Sequence, residues 1–392
     1  MKDLSEPEAQ LVAEHQANLL FSAERFFERG RIPKAIRRAF LKTPRHSFAP
    51  KFYSSQKREW IDLSKAPIKE HIAEIYSDHP LCIYRDANGR SLSTVSQPSL
   101  VLYMLDLLEL EQGHRIIELG GGSGWNAALM GRLVGDSGYV KSIEIIEELV
   151  AAAQSSIAAM GLSQVDFCAG DASLSAETSE PFDRGVFTAS AWELPSCFFS
   201  QIKDDGLLLF VLKAQPHYDL LCLLKKTESG VFTSDLHFPC SFVPVTGSQT
   251  IPEQSPRPIS ETGLALASEL TWDSIKIPAP SIPQFLEFLK LVYDCQHTYL
   301  LPNHGQDFDE EFWGVLDPSG KSLVIFNEDR LLAYGEEECL IQVRRAAKRW
   351  QKAGCPEIED LKLSFHASAA TLAPNNDQWL AQRGETTLLW SL

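Results

Sequence analysis

No apolar run in this chain of 392 residues approaches the ~18 residues that a helix needs to cross a bilayer, so a helical membrane span is excluded. The opening stretch, "MKDLSEPEAQLVAEHQ", is polar and acidic; no signal or transit peptide is expected, and the cytoplasm is the expected location. Basic residues are in deficit. Against 52 Asp and Glu there are 36 Lys and Arg, a net charge of -16. Phosphate binding wants a basic face, so a nucleic acid is excluded as the main partner. CxxC pairs are missing as well. The eight cysteines, at 82, 168, 197, 222, 240, 295, 339 and 355, stand apart in mostly apolar surroundings and read as reduced, packed thiols. The densest group of metal donors, Cys295, His297 and His304, has a spacing that fits no zinc pattern, so no metal is expected. Low-complexity tracts and internal repeats are absent too, which leaves an ordinary globular composition.

What is present divides by pattern. The length favours two domains. Residues 8 to 42 read as helical, and "KTPRHSFAP" breaks that pattern with Pro44 and Pro50. From about residue 97, short apolar strands alternate with helices up to "GLLLFVLKA". This alternation predicts an α/β fold with a mostly parallel, doubly wound sheet. "TGSQTIPEQSPRPISETG" is rich in proline and serine and reads as a linker. The expected organisation is a first domain over 1–247 with a helical N-terminal segment, a linker over 248–269, and a smaller α+β domain over 270–392. Within the last, "FWGVLDPSGKSLVIFN" reads as a hairpin and "EEECLIQVRRAAKRWQKAG" as an amphipathic helix.

The stretch "RIIELGGGSGWNAALMGRL" crowds Gly120, Gly121, Gly122 and Gly124 between an apolar strand and a helix. Such a loop lets backbone amides approach a ligand closely. A dinucleotide fingerprint fails in register, because its third glycine falls on Trp125. The lysine and hydroxyl of a P-loop are also missing. Two acids complete the pattern instead. Glu144 ends the second strand, where a carboxylate accepts ribose hydroxyls. Asp171, in "AGDAS", ends the third and suits the exocyclic amine of an adenine. Acids and glycines at three successive strand ends, without a pyrophosphate loop, point to S-adenosylmethionine.

With these residues the sequence resembles the protein-L-isoaspartate O-methyltransferase family over roughly residues 15 to 215. The family's signature turn reads here Thr94-Val95-Ser96-Gln97-Pro98, and its glycine motif reads Glu118-Leu119-Gly120-Gly121-Gly122-Ser123-Gly124. "AFLKTPRHSFAP", "IYSDHPLCI" and "PFDRGVFTASAWELP" extend the match. The resemblance implies a class I, Rossmann-like methyltransferase fold, S-adenosylmethionine as cofactor and a carboxylate as methyl acceptor. The full cofactor set expected is Glu118, Gly120, Gly122, Gly124, Glu144 with its neighbour Ile145, and Asp171 with its neighbour Ala172. The acceptor would be an aspartyl or isoaspartyl residue of a peptide or protein, and its ester would lead on to a succinimide. Two departures concern the substrate: "YRDANGRSLS" replaces the glycine-rich approach to the turn, and Trp125-Asn126 replaces Tyr-Gln. The tail "LLAYGEEECLIQVRRAAKRWQKAGCPEIEDLKLSF" resembles homologues that accompany ATP-grasp and lanthipeptide modified-peptide pathways. Repair of damaged protein and maturation of a precursor peptide therefore both stand open, beside a non-catalytic binder of the cofactor or of a peptide.

A carboxylate is ionised at neutral pH and needs no general base to become a nucleophile. Methyl transfer from a sulfonium is an in-line displacement that asks for positioning at ~3 Å and exclusion of water. Charge disappears as the ester forms, so hydroxyls suit the acceptor better than a lysine, which would over-stabilise the reactant anion. Ser96 is the expected orienting residue, with Thr94 and Ser93 as secondary candidates. Trp192, Leu194 and Pro195 are expected to wall the site, and Trp125 to pack near the cofactor. Arg344, Arg345, Lys348 and Arg349 form a basic strip on one predicted helix, suited to an acidic acceptor peptide or leader.

Overall fold

The computed structural model describes residues 4–27, 30–174, 180–215, 218–250, 256–292, 298–302, 310–327, 329–367, 372–375 and 377–392. Cys295, His297 and His304 lie outside the described residues. The chain forms two compact units that interleave in sequence. One comprises Met1–Val211, Leu223–Gly230 and Phe242–Thr250; the other comprises Leu212–Cys222, Val231–Ser241 and Ile251–Leu392.

The first unit opens with helix α1 (Glu6–Ala23), which starts at a capping box between Ser5 and Glu8, and helix α2 (Lys34–Leu41). An antiparallel sheet of four strands follows: β1 (Lys51–Ser54), β2 (Glu59–Asp62), then past the short helix α3 (Ile72–Ile75), β3 (Leu81–Arg85) and β4 (Ser91–Val95), in the order β2-β1-β3-β4. Helix α4 (Pro98–Leu107) begins at Pro98, whose missing N–H is harmless in the first turn.

The alternating region then unfolds as read: β5 (Arg115–Leu119), α5 (Trp125–Val134), β6 (Tyr139–Glu144), α6 (Glu147–Ala159), β7 (Val165–Ala169), β8 (Phe182–Phe187), the short α7 (Phe198–Gln201) and β9 (Ile202–Gln215). These strands run parallel in the order β7-β6-β5-β8-β9. Ile116, Ile117, Glu118 and Leu119 of β5 are all buried, as befits a central strand covered on both faces. The chain runs from β5 outward through β6 and β7, then returns to the other side of β5 with β8. That reversal makes a crevice at the carboxyl ends of β5 and β8, the position where open parallel sheets take ligands.

Strands β9 and β10 (Tyr218–Lys226) each contribute residues to both units. Strand β11 (Phe232–Cys240) belongs to the second unit up to Cys240. That unit continues with β12 (Arg257–Pro258), β13 (Leu266–Thr271), α8 (Ile282–Val292), β14 (Thr298–Leu301), β15 (Glu310–Leu316), β16 (Ser322–Phe326), β17 (Arg330–Gly335), α9 (Glu338–Lys352), β18 (Lys362–Ala367), β19 (Gln378–Arg383) and β20 (Thr386–Ser391). Six of its strands form a sheet in the order β12-β14-β15-β16-β17-β13, around a core of Tyr299, Leu323, Ile325, Leu332 and Tyr334. The β15–β16 hairpin turns where the sequence predicts it. Both oxygens of Asp317 accept amides there, from Lys321 and Ser322 on one and Ser319 on the other.

The expected linker is corrected. Residues 251–255 lie outside the described residues, but the rest of 248–269 is built into structure. It holds a turn at Gly247–Gln249, strand β12, a 3-10 turn at Ile259–Thr262 and the start of β13. Strand β13 pairs with β17, Leu270 opposite Leu331, so apolar pairing outweighs the proline and serine content. The boundary expected at residue 247 is likewise displaced, since strands before it already belong to the second unit. No helix among the described residues is long and apolar enough to cross a membrane.

Candidate active site

The carboxyl ends of β5, β6, β7 and β8 open into one cleft. It lies within the first unit. Glu118, Gly120, Glu144, Ile145, Asp171 and Ala172 line it, together with Ser93, Thr94 and Ser96 from the end of β4 and the turn after it. Residues expected on separate grounds, a cofactor set and an acceptor set, thus share one cavity.

The glycine loop is shaped by backbone requirements. Gly120 has φ +88°, Gly122 +55° and Gly124 +80°, conformations costly for residues with a Cβ. Gly121 has a different reason: a Cβ there would strike the Ser142 hydroxyl and the Phe167 ring. Only Gly120 and Gly121 of the four line the cleft. Gly122 donates its amide to Glu144 Oε2 at 2.6 Å. Gly124 is turned to α6, where a Cβ would lie 3.0 Å from Ile157 Cδ1 and 3.2 Å from Ala153 Cβ. Gly122 and Gly124 therefore shape the loop and its packing rather than face the cavity.

Three carboxylates carry the electrostatics. Glu118 is fully buried; its Oε2 accepts the Ser142 hydroxyl at 2.5 Å and its Oε1 the Asn126 amide at 2.7 Å. Burial pushes its carboxyl up to about 7, against the pull of those two hydrogen bonds. Glu144, 4% exposed, accepts Gly122 N on Oε2 and Ile146 N, at 2.8 Å, on Oε1. Burial raises it as well, despite those amides. Each oxygen keeps a second lone pair for a ligand hydroxyl. Asp171 is more open. Burial works against its charged form, yet hydrogen bonds from Ser173 and Ser248 leave it below the ordinary carboxylate value.

No Lys, Arg or His is among the described residues lining this cleft. A ligand bringing ribose hydroxyls, an adenine amine and a positively charged sulfonium meets acceptors throughout. The residues present fit S-adenosylmethionine.

The lining contributed by the end of β4 and the turn after it is neutral and partly apolar. Ser93 is buried, and Thr94 and Ser96 are half-buried. Val95, Val101, Met104, Phe187, Ala191 and Pro195 line the same cavity. Of the expected wall, Pro195 is there while Trp192 and Leu194 are not among the lining residues. Trp125 does line it, is 2% exposed, and donates its indole N–H to the Thr43 carbonyl at 3.0 Å.

Several lining residues escaped the sequence reading. Thr188 donates its hydroxyl to Leu119 O at 2.9 Å and to Gly120 O, holding the start of the glycine loop. A hydroxyl at the end of a strand was the signal available for it. The larger omission is a strap of residues 242–249. Phe242, Val243, Pro244, Val245, Thr246 and Gln249 wall the cleft. Ser190 brackets the strap, donating its amide to Val243 O and accepting that of Val245, both at 2.9 Å. The Ser248 amide reaches Asp171 Oδ2 at 2.9 Å. The chain leaves the first unit and returns before it makes this wall, so no local motif announces it.

Comparison with known proteins agrees with this geometry. Residues 23–250, more than half of the chain, match the family model described as protein-L-isoaspartate(D-aspartate) O-methyltransferase. A protein-L-isoaspartate O-methyltransferase of Ignicoccus hospitalis is 32% identical over 212 residues, 54% of this chain and 89% of that protein. Protein-L-isoaspartate O-methyltransferase 2 of Archaeoglobus fulgidus is 32% identical over 225 residues, 57% of this chain and 91% of that protein. A solved structure of a protein-L-isoaspartate O-methyltransferase shares the fold at 22% identity and a TM-score of 0.54, covering 89% of this chain and 96% of its own. An alternating sheet with its cleft at the strand ends, three acids in place of a phosphate site, and the family match across both place the chain in the protein-L-isoaspartate(D-aspartate) O-methyltransferase family, as an S-adenosylmethionine-dependent enzyme.

Proposed function

We propose that this chain methylates the carboxylate of an aspartyl or isoaspartyl residue in a peptide or protein, with Ser96 orienting the acceptor. One observation supports the reading: a single cleft is lined by three acids together with Ser93, Thr94 and Ser96, and by no cation among the described residues. S-adenosylmethionine, when bound, supplies an electrophilic methyl group on sulfur. Glu144 would hold the ribose on the lone pairs left free by Gly122 and Ile146, and Asp171 would accept the adenine amine. Gly120 and Gly121 give close backbone approach. The acceptor carboxylate is already ionised, so no residue need take a proton. Ser96 would fix its direction with a hydroxyl, and Val101, Met104 and Phe187 would keep water out. The ester so formed is activated: the next backbone nitrogen attacks its carbonyl carbon, methanol leaves, and a succinimide closes.

The acceptor can be a damaged site in a finished protein or an aspartate in a precursor peptide. The second is favoured by one feature of α9. Arg344, Arg345 and Lys348 are exposed and make no ion pair among the described residues, in a chain of net charge -16. The predicted strip is shorter than expected, because Arg349 stacks over Trp379 at 4.6 Å and donates to Gln378 O. Such a face suits an acidic peptide. Transfer of labelled methyl groups to an isoaspartyl hexapeptide and to a long acidic peptide tests both levels. Cofactor binding without transfer to either peptide would reject catalysis in favour of a binder. Reversing Arg344, Arg345 and Lys348 to Glu in the full chain should weaken transfer to the long peptide alone; equal loss on both, or none, rejects the acidic-peptide reading.

A further inference from the structure

We infer that Arg45 is a positioning residue that holds the acceptor-side turn in its working shape, an inference that rests on the reading of the Ser96 turn as the acceptor site. Arg45 opens a 3-10 turn, Arg45–Phe48, in the segment that breaks the N-terminal helices. It is 1% exposed. A buried cation is costly unless its donors are used. Here Nη1 donates to Ile75 O at 2.6 Å and Ser77 O at 3.2 Å, and Nη2 to His79 O at 2.7 Å, Val95 O at 2.9 Å and Ser96 O at 3.0 Å. One guanidinium thereby gathers carbonyls from the end of α3, from the loop before β3 and from Val95 and Ser96 of the signature turn. Burial lowers its pKa to about 9, which leaves it charged at neutral pH.

The direction of those bonds matters for the acceptor. In a trans peptide the C=O and the following N–H point opposite ways. Turning Val95 O and Ser96 O toward Arg45 therefore turns the amides of Ser96 and Gln97 away from it. The turn is braced beside this contact. Asp78 accepts the Ser99 amide at 2.9 Å and the Gln97 side chain at 3.3 Å, fixing the start of α4. The guanidinium also lies 5.7 Å over the ring of Trp125, whose indole N–H is bound to the Thr43 carbonyl two residues before Arg45. The segment at 43–45 thus ties the acceptor turn to the first residue of α5, where the glycine loop ends. A lysine cannot replace this fork, because its donors radiate from a single point.

The test uses Arg45→Lys and Arg45→Gln in the full chain, each alone and combined with Ser96→Ala. Cofactor affinity is measured by calorimetry, and kcat and KM by methyl transfer to an isoaspartyl hexapeptide. Arg45→Lys should keep cofactor affinity within about threefold and lower kcat by roughly ten- to a hundredfold, the span of a lost charged hydrogen bond. Ser96→Ala should add little in that background, because a displaced turn no longer uses the hydroxyl. An unchanged kcat, an equal loss of cofactor affinity, or effects of the two substitutions that simply multiply would overturn the assignment. If neither variant folds, Arg45 holds the fold rather than the turn, and the inference falls. An unchanged rate in Ser96→Ala alone is a different failure: it removes the reading of the turn itself.

Discussion

Glu118 and Glu144 are acids that the fold has taken out of water, and their neighbours decide what they do. Glu144 has an amide on each oxygen and still offers a lone pair on both. Glu144→Ala should weaken S-adenosylmethionine binding by roughly ten- to a hundredfold in calorimetry; full affinity would dismiss it as a ribose partner. Glu118 makes a prediction about pH instead. Its pKa moves from an ordinary 4.5 up to about 7 on folding. The folded state therefore binds more protons between those values, and stability falls as pH rises through that window. The contribution is whole below about 4.5 and lost above about 7. Melting temperatures at both ends of the window should drop more for the wild type than for Glu118→Gln. Matching slopes would mean that Glu118 is charged throughout. Glu118, Glu144, Asp171 and Ser96 were legible in the sequence because each lies in a short motif at a strand end. Arg45 was not, since its five carbonyl partners are thirty or more residues away.

Among the elements, the glycine loop and the strap are the two that close upon the cofactor region. Gly247 has φ +85°, and a Cβ there would strike Ile145 Cδ1 and lie 2.6 Å from Asp171 Oδ2. Gly230 has φ +76° with nothing within 4 Å. Alanine at either position meets the same left-handed backbone, a cost of about 1–2 kcal/mol. Only alanine at 247 must also lift the strap from Asp171. Gly247→Ala should thus lose cofactor affinity while Gly230→Ala keeps it, at similar melting temperatures. Equal affinities would show that the strap is not part of the cofactor wall. The contrast also marks where sequence reading stops. The loop at Gly120–Gly124 is written between one strand and the next helix. The strap is written in an unremarkable run, "FVPVTGSQ", and gains its role through Ser190 and Asp171.

At the scale of the molecule, interleaving changes what can be removed. The second unit takes Val231–Ser241 from the middle of the sequence, and β11 pairs there with β18, Phe232 opposite Phe365. Phe232 and His237 are buried among these strands. A chain cut near residue 250 would retain β11 without β18, leaving an unpaired apolar edge. It should be poorly soluble and should not unfold cooperatively, which solubility and thermal melting will report. A soluble, cooperative fragment would show that residues 1–250 form an autonomous domain, as the proline-rich linker suggested. The sequence read two domains but joined them end to end, because composition registers a local change of texture and strand pairing is not local.

The strap also gives the cleft a position in the order of synthesis. Strands β5 to β8 and the acceptor turn leave the ribosome before residues 242–249 do, so the early chain holds its glycine loop and acids with one wall open. Strand β11, which leads directly into the strap, then waits for residues 362–367 to find its partner. The sheet that carries the strap is therefore completed only when translation is nearly done.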